Sequence, residues 1–446
     1  MICVFSPRSS RRLEYLLHHL IEVMWGESLL FLTDEEAFAA QAAEGKINYS
    51  DHPLPASFFI PAHPLLFEKV IHNQHVQLIQ GEDFPYCFPL PLPEADMDWD
   101  VFAACFYWIS RYEEYLPYRP DAHGRFSPEE SLAGKNACLH LALVDRWAEH
   151  LQRLLQRKFP GLRFASRKAR FTPTYDIDSA FAYLHKGFAI ALGSSLKALL
   201  QGNWQDVRKR MEVYAGKTKD PYDTFDWLKQ LHASSKLNPL FFILFSGRSR
   251  YDKGLDPKQP AFRELLRELA AEAGVGIHAS YVSSERGSGQ LQSEIDALSE
   301  AIGRPVCANR SHYLRMRLPE TYRNLISCGI QDDYSMGFVT AAGFRAGTCT
   351  PFRFFDLERN ESTSLLIHPL LFMENAFYGK QDADEAQLFS ETIRPLLDEC
   401  IRYKGEIITL FHNQSFGELP GHRLPAKGLL QHSIRYIQQA LWQSNG

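Results

Sequence analysis

The sequence predicts an α/β protein, a distorted (β/α)7-type barrel preceded by a smaller mixed α and β domain. Three observations predict it. From about residue 169 onward, short apolar runs alternate roughly seven times with amphipathic stretches of helical length, the pattern of parallel strands joined by crossover helices. The segment FPGLRFASRK at residues 159–168 is turn-like and basic, and the β-prone RFTPTYDID follows it at once, which marks a domain join. Finally, 446 residues exceed what one hydrophobic core of ~100–200 residues covers. The expected domains are residues 1–168, of unknown role, and residues 169–446, the barrel.

In the first domain, ICVF and LLFLTD read as short strands around an amphipathic helix at residues 11–25. DWDVFAACFYWISRYEEYL reads as an aromatic-rich helix, and VDRWAEHLQRLLQRKF as another. The polar clusters Arg111, Glu113 and Glu114, and Asp121, His123 and Arg125, read first as ion pairs and turn contacts that fix the domain, with the lining of a site as the alternative. In the second domain, TPTYD, LFFILF, VGIHAS, PVCANRSHY, GIQDDYS and GEIITLFHN are the strands, with helices such as AFRELLRELAAEA and LQSEIDALSEAI between them. FRAGT and STSLLIHPL are two further turns of the alternation.

Composition narrows the function. With 45% hydrophobic residues, 31 Phe and 19 Tyr, the chain can bury sizeable cores, so global disorder is excluded. Lys plus Arg number 48 against 53 Asp plus Glu, a net charge of -5 that offers no overall attraction to nucleic acid, and no nucleic-acid partner is expected. The eight cysteines are dispersed, without metal-finger spacing, and read as reduced, mostly buried thiols. No signal-peptide pattern opens the sequence and no apolar run reaches the ~18 residues of a membrane span, so a cytoplasmic protein is expected.

Buried parallel strands are expected to be almost continuously apolar, yet these end in polar residues. The pairs Asp176 and Asp178, His278 and Ser280, and Arg310 and His312 each share a strand face, because residues i and i+2 point the same way. Asp332, Asp333, Arg345, His412 and Asn413 follow at later ends. Read alone, an Asp-x-Asp is a common turn and a lone histidine an ordinary strand end. Together at one mouth, carboxylates and imidazoles are what a divalent cation takes, Zn²⁺ foremost. A carboxylate not spent on the metal can accept a proton from attacking water, a guanidinium can hold it ionised, and a late histidine can protonate a leaving amine. This is a hydrolase layout.

TYDIDS, GIHASY, NRSHYLR, DDYSMGF, GFRAGT and LFHN, in this order over residues 172–413, resemble the NodB-like polysaccharide deacetylases, specifically a divergent bacterial branch. INYS, FYWISRYEEY and HGRF are similar to the uncharacterised domain that precedes the catalytic domain in that branch. The resemblance implies metal-dependent removal of acetyl groups from sugars. It implies Asp176 as catalytic base, Asp178 and His278 as metal ligands, Arg310 as the arginine orienting the base, and His412 as general acid. The sequence departs from the family where a second metal histidine is usual, four residues after the first, because Val282 stands there. His312 is taken as the replacement ligand, since it lies beside Arg310.

The expected activity is hydrolysis of an acetyl amide or ester on a saccharide or glycan precursor. Tyr281, Asp333, Tyr334 and Arg345 are the candidate substrate contacts, with Tyr313 also near the mouth. Two alternatives stay open: hydrolysis of another non-peptide C–N bond, as in related barrels that open small cyclic amides, and a non-catalytic glycan-binding relative.

Overall fold

The strands Ile2–Phe5 (β1), Leu29–Leu32 (β2), Gly45–Ser50 (β3) and Phe58–Pro61 (β4) form a parallel sheet in the order β2-β1-β3-β4. The structure is a computed structural model and describes residues 1–377, 384–417 and 426–443. β1 is apolar throughout and buried along its whole length, as a central parallel strand requires. The helix Arg11–Leu17 starts where the Ser10 side chain accepts from the Leu13 N–H, and it continues as wider turns to Met24. The aromatic helix Val101–Ile109 is buried on every side. Asp100 caps it, accepting from Ala103 N, from the Tyr49 hydroxyl at 2.6 Å and from His63 N at 2.7 Å.

The chain separates into two compact units. One comprises Met1–Arg170, Gly343–Pro369 and Asp398–Glu406, the other Phe171–Ala342, Leu370–Leu397 and Ile407–Gly446. In the first unit the polar clusters are ion pairs, Arg111 with Glu113 and Glu114 and Arg125 with Asp121.

The second unit carries Arg170–Ile177 (β5), Leu240–Ile243 (β6), Gly274–Ala279 (β7), Ala308–Ser311 (β8) and Asp332–Met336 (β9). Later in the chain, Phe352–Asp356 (β10) and Glu361–Pro369 (β11) belong to the first unit, and Phe372–Met373 (β12) and Glu406–His412 (β13) follow. The sheet of the second unit runs β9-β8-β7-β6-β5-β13-β12, and the ladders from β5 through β9 are parallel, as is β12 with β13. It curls into a distorted barrel. Leu370 N bonds to Met336 O at the end of β9, and Leu371 N to Ile408 O on β13, so one short segment spans the two sides of the curl. Leu314, Leu370, Met373, Ile408 and Leu410 fill the interior, with Tyr334 and Val339 against them.

Two segments depart from the alternation. FRAGT holds no strand, and STSLLIHPL forms β11, which pairs antiparallel with β10. Four residues, 357–360, join β10 to β11, far too few for a crossover helix. Asp356 accepts from Glu358 N and Arg359 N, and Asn360 takes a left-handed φ of 51°, closing the hairpin.

The register positions the site. Asp176 lies opposite Phe242, Phe242 opposite Gly276, and His278 opposite Arg310. Gly276 is needed there, because a Cβ would come 2.7 Å from the Phe242 ring and 2.8 Å from Ala308 O. All eight cysteines are unpaired, seven of them buried. No helix among the described residues is long and apolar enough to cross a membrane.

Candidate metal centre

Three ligand atoms meet at the carboxyl ends of β5, β7 and β8. The Nε2 atom of His278 lies 3.4 Å from Asp178 Oδ1, and that of His312 lies 3.6 Å from the same oxygen. Donors about 2.0–2.2 Å from a single tetrahedral ion stand roughly 3.3–3.6 Å apart, so these separations are the edges of such a shell. The imidazoles are pre-set for it. His278 Nδ1 faces Arg310 O at 2.8 Å, and a carbonyl only accepts, so in the neutral ring Nδ1 carries the hydrogen and Nε2 the lone pair. His312 Nδ1 is held in the same way by Asp252 Oδ1 at 2.8 Å. Asp178 Oδ1 is buried without a hydrogen-bond partner, a costly state for a carboxylate oxygen. Three neutral or anionic donors aimed at one point, one of them orphaned, fit a divalent cation.

Asp176 sits one strand position deeper and is almost fully buried. Its Oδ2 is 3.5 Å from His278 Nε2, and its Oδ1, also without a hydrogen bond, is 3.5 Å from a terminal nitrogen of Arg310. Arg310 is completely buried. Its other terminal nitrogen donates to Thr174 Oγ1 at 2.9 Å, and its guanidinium lies 4.7 Å from the centre of the Phe242 ring. Asp176 is thus held beside a fixed cation.

His412 closes the far side, with Nε2 3.7 Å from Asp178 Oδ2. Glu374 orients it, accepting from His412 N at 2.8 Å and pairing with Nδ1 at 2.7 Å. Burial by itself lowers the pKa of His412, but Glu374, Asp178 and Asp176 outweigh that and push it up to about 10. Burial likewise opposes ionisation of Asp178, yet His412, His312 and His278 hold its carboxyl well below the usual range. For His278 too the neighbouring Asp176 and Asp178 overcome burial and raise the pKa.

The remaining candidates fall elsewhere. Tyr281 is buried at the rim, its ring 4.2 Å from that of Tyr251 and 5.6 Å from that of Tyr313. Tyr313 and Leu314 both have left-handed φ, 62° and 47°, a strained pair immediately after His312. Tyr334 packs 5.3 Å from Phe242 and against the interior cluster. Asp333 is fully buried and accepts from Asn309, Tyr322 and both the N–H and hydroxyl of Ser335, so its oxygens are already engaged. Arg345 lies in the first unit, where Glu114 binds its guanidinium at 2.6 and 2.9 Å. The structure therefore brings Asp176, Asp178, His278, Arg310, His312 and His412 together, and engages Asp333 and Arg345 in other contacts.

Asp252, Glu374 and Thr174 escaped the sequence reading. Glu374 directly follows β12, the same signal that marked Asp178, but has no partner at strand spacing, and Asp252 lies in the loop after β6, away from the strand end.

Residues 2–160 match the model of a family described as a family of unknown function, DUF7033. No curated protein matches the sequence. Among solved structures, the chain is similar to one assigned as a polysaccharide deacetylase from Mycobacterium smegmatis, at 15% identity and a TM-score of 0.38 over 61% of this chain and 85% of that one. A structure assigned to the same activity from Pseudomonas aeruginosa PAO1 aligns at 11% identity and a TM-score of 0.38, over 61% and 86%. The Puue allantoinase aligns at 12% identity and a TM-score of 0.35, over 61% and 84%.

Proposed function

We propose that the second unit is a metal-dependent hydrolase that removes an acetyl group from an amide or ester on a saccharide. The observation that carries this reading is the convergence of Asp178 Oδ1, His278 Nε2 and His312 Nε2 at ion-shell spacing beside a second carboxylate, Asp176, backed by a buried arginine. Asp178, His278 and His312 would hold a divalent cation, with Zn²⁺ the first choice for a carboxylate and two imidazoles; bound there, it would polarise the acetyl carbonyl and acidify the attacking water.

The chain's own residues supply the rest. Asp176, set beside the Arg310 guanidinium, accepts a proton from the water as the water oxygen bonds to the acetyl carbon. His412, held in its protonated form by Glu374, gives a proton to the departing nitrogen or oxygen as the C–N or C–O bond breaks. Acetate and the free amine or hydroxyl are the products. Tyr251 and Tyr313, half-buried and packed against the buried Tyr281, offer an aromatic rim on which a sugar ring can stack. Asp333 and Arg345 receive no substrate role, since their charged groups are satisfied within the fold. Residues 1–168 we read as a separate domain accompanying this barrel.

Two measurements test the proposal. Protein purified without chelator is expected to hold near-stoichiometric Zn²⁺ that Asp178→Ala and His278→Ala lose, and to release acetate from a panel of acetylated sugars. Metal without acetate release, but with opening of small cyclic amides, favours the other C–N hydrolase. No bound metal under any loading condition rejects the reading in favour of a non-catalytic glycan binder.

A further inference from the structure

The chain leaves β5 just before Asp178 and, before returning to the barrel, builds a helical hairpin from Phe188–Leu200 and Trp204–Tyr214. Eleven large apolar side chains are exposed among the described residues, and eight of them lie at residues 190–214. They are Ile190, Leu192, Leu196, Leu199, Leu200, Trp204, Met211 and Tyr214, with Leu200 80% and Trp204 69% exposed. Such a concentration on one supersecondary element is not the scatter expected of an ordinary surface.

A polar network joins the two helices on their buried side. Arg210 is buried and donates to Ser194 Oγ at 2.6 Å and to Asp206 at 3.1 Å, while its guanidinium lies 4.6 Å from the centre of the Tyr183 ring. The Tyr183 hydroxyl donates to the other Asp206 oxygen at 2.6 Å. The two helices are therefore joined through a charged network and show water their apolar faces, the reverse of a helix pair built for aqueous solution. Charge is reversed as well. Residues 186–219 hold seven Lys and Arg against two Asp and Glu, within a chain of net charge -5. Lys197 and Lys217 are exposed, as are Arg208 and Lys219, which pair with Glu212 and Asp226.

We propose that this hairpin docks on the surface of a lipid bilayer containing anionic headgroups. Apolar side chains with an exposed tryptophan, fringed by basic residues, are the composition of an interfacial helix. The thirteen-residue first helix, about 20 Å long, is too short to cross a bilayer core of about 30 Å, so the hairpin lies on the membrane. Its roots are fixed at the site, because Asn413, next to His412, donates to Ser179 O at 3.1 Å and to Tyr222 O at 2.9 Å. On the hydrolase reading above, and resting on it, docking here favours a membrane-anchored saccharide as substrate.

Vesicle co-sedimentation of the full chain tests docking without any assay of activity, so the two readings fail separately. Binding is expected to phosphatidylcholine vesicles carrying phosphatidylglycerol, to be weaker without phosphatidylglycerol, and to fall as salt rises. Leu196→Glu with Leu200→Glu is expected to cut binding at least about tenfold at an unchanged melting temperature, since both side chains are already exposed. Failure of the unaltered chain to bind either vesicle overturns the proposal. So does a dimer, seen by light scattering in the absence of lipid, that the same two substitutions dissociate, because a second copy would then cover the face.

Discussion

Two regions of this molecule bury several charged side chains, and they treat them differently. In the first unit Arg111 donates to Glu113 and Glu114 at 2.8 Å and also to Arg345 O, Arg345 doubles the contact to Glu114, and Glu113 accepts from Leu132 N. No side-chain atom of these four residues is left orphaned in the interior. In the barrel, Asp176 Oδ1, Asp178 Oδ1 and two nitrogens of Arg310 are buried without hydrogen bonds, and two imidazole lone pairs face a carboxylate. A closed charge network stabilises a fold, whereas an open one of mostly acceptors is arranged for something that is not protein. Burial of charge alone does not separate the two cases. Satisfaction does.

Substitutions can break this contrast. The largest expected effect is at the open cluster: Asp176→Asn is expected to lower the rate of acetate release by ~10²–10⁴-fold while leaving the bound metal in place, read by steady-state kinetics and metal analysis. Full activity in that variant would remove Asp176 from the chemistry. Next comes the closed cluster. Glu114→Ala leaves two buried guanidinium groups without their shared carboxylate and is expected to cost about 3–5 kcal/mol in urea unfolding. A loss below about 1 kcal/mol would mean that this network is not what holds its surroundings.

Smaller effects sharpen the comparison. Asp252→Asn removes the carboxylate that orients His312 and is expected to weaken Zn²⁺ binding by roughly 10–100-fold in a chelator competition. An unchanged affinity would take His312 out of the ligand set. The last test is pH. The folded pKa of His412 lies near 10, above its ordinary 6.5, so the folded state binds the proton more tightly than the unfolded chain. Its contribution to stability is therefore complete below about pH 6.5 and is lost as pH rises toward 10. In metal-free protein, stability is expected to fall over that window by at most about 1.4 kcal/mol per pH unit from this one proton, and His412→Gln is expected to flatten that part of the profile.

Much of the candidate site was legible because strand-end polarity is a local signal. Asp176, Asp178, His278, Arg310 and His412 stand out against apolar runs whatever the three-dimensional arrangement. The supporting acids were not legible, since Asp252 and Glu374 stand alone in segments of otherwise ordinary composition, and only the fold carries them to His312 and His412. Arg345 is the opposite case. It follows a strand-like end in the same ordered set of motifs, yet its charge is spent on Glu114, 231 residues away in sequence.

The sequence by itself determined the alternation of strands and helices and the polar strand ends, because period and burial preference are written residue by residue. Only the tertiary structure decided that His312 meets Asp178 where Val282 cannot, and that β10 and β11 fold back as a hairpin. The physical reasons differ. His312 reaches Asp178 because strands distant in sequence come into register, which follows from the packing of the whole chain, whereas β10 and β11 are neighbours whose antiparallel pairing is set by a turn that an apolar run does not reveal.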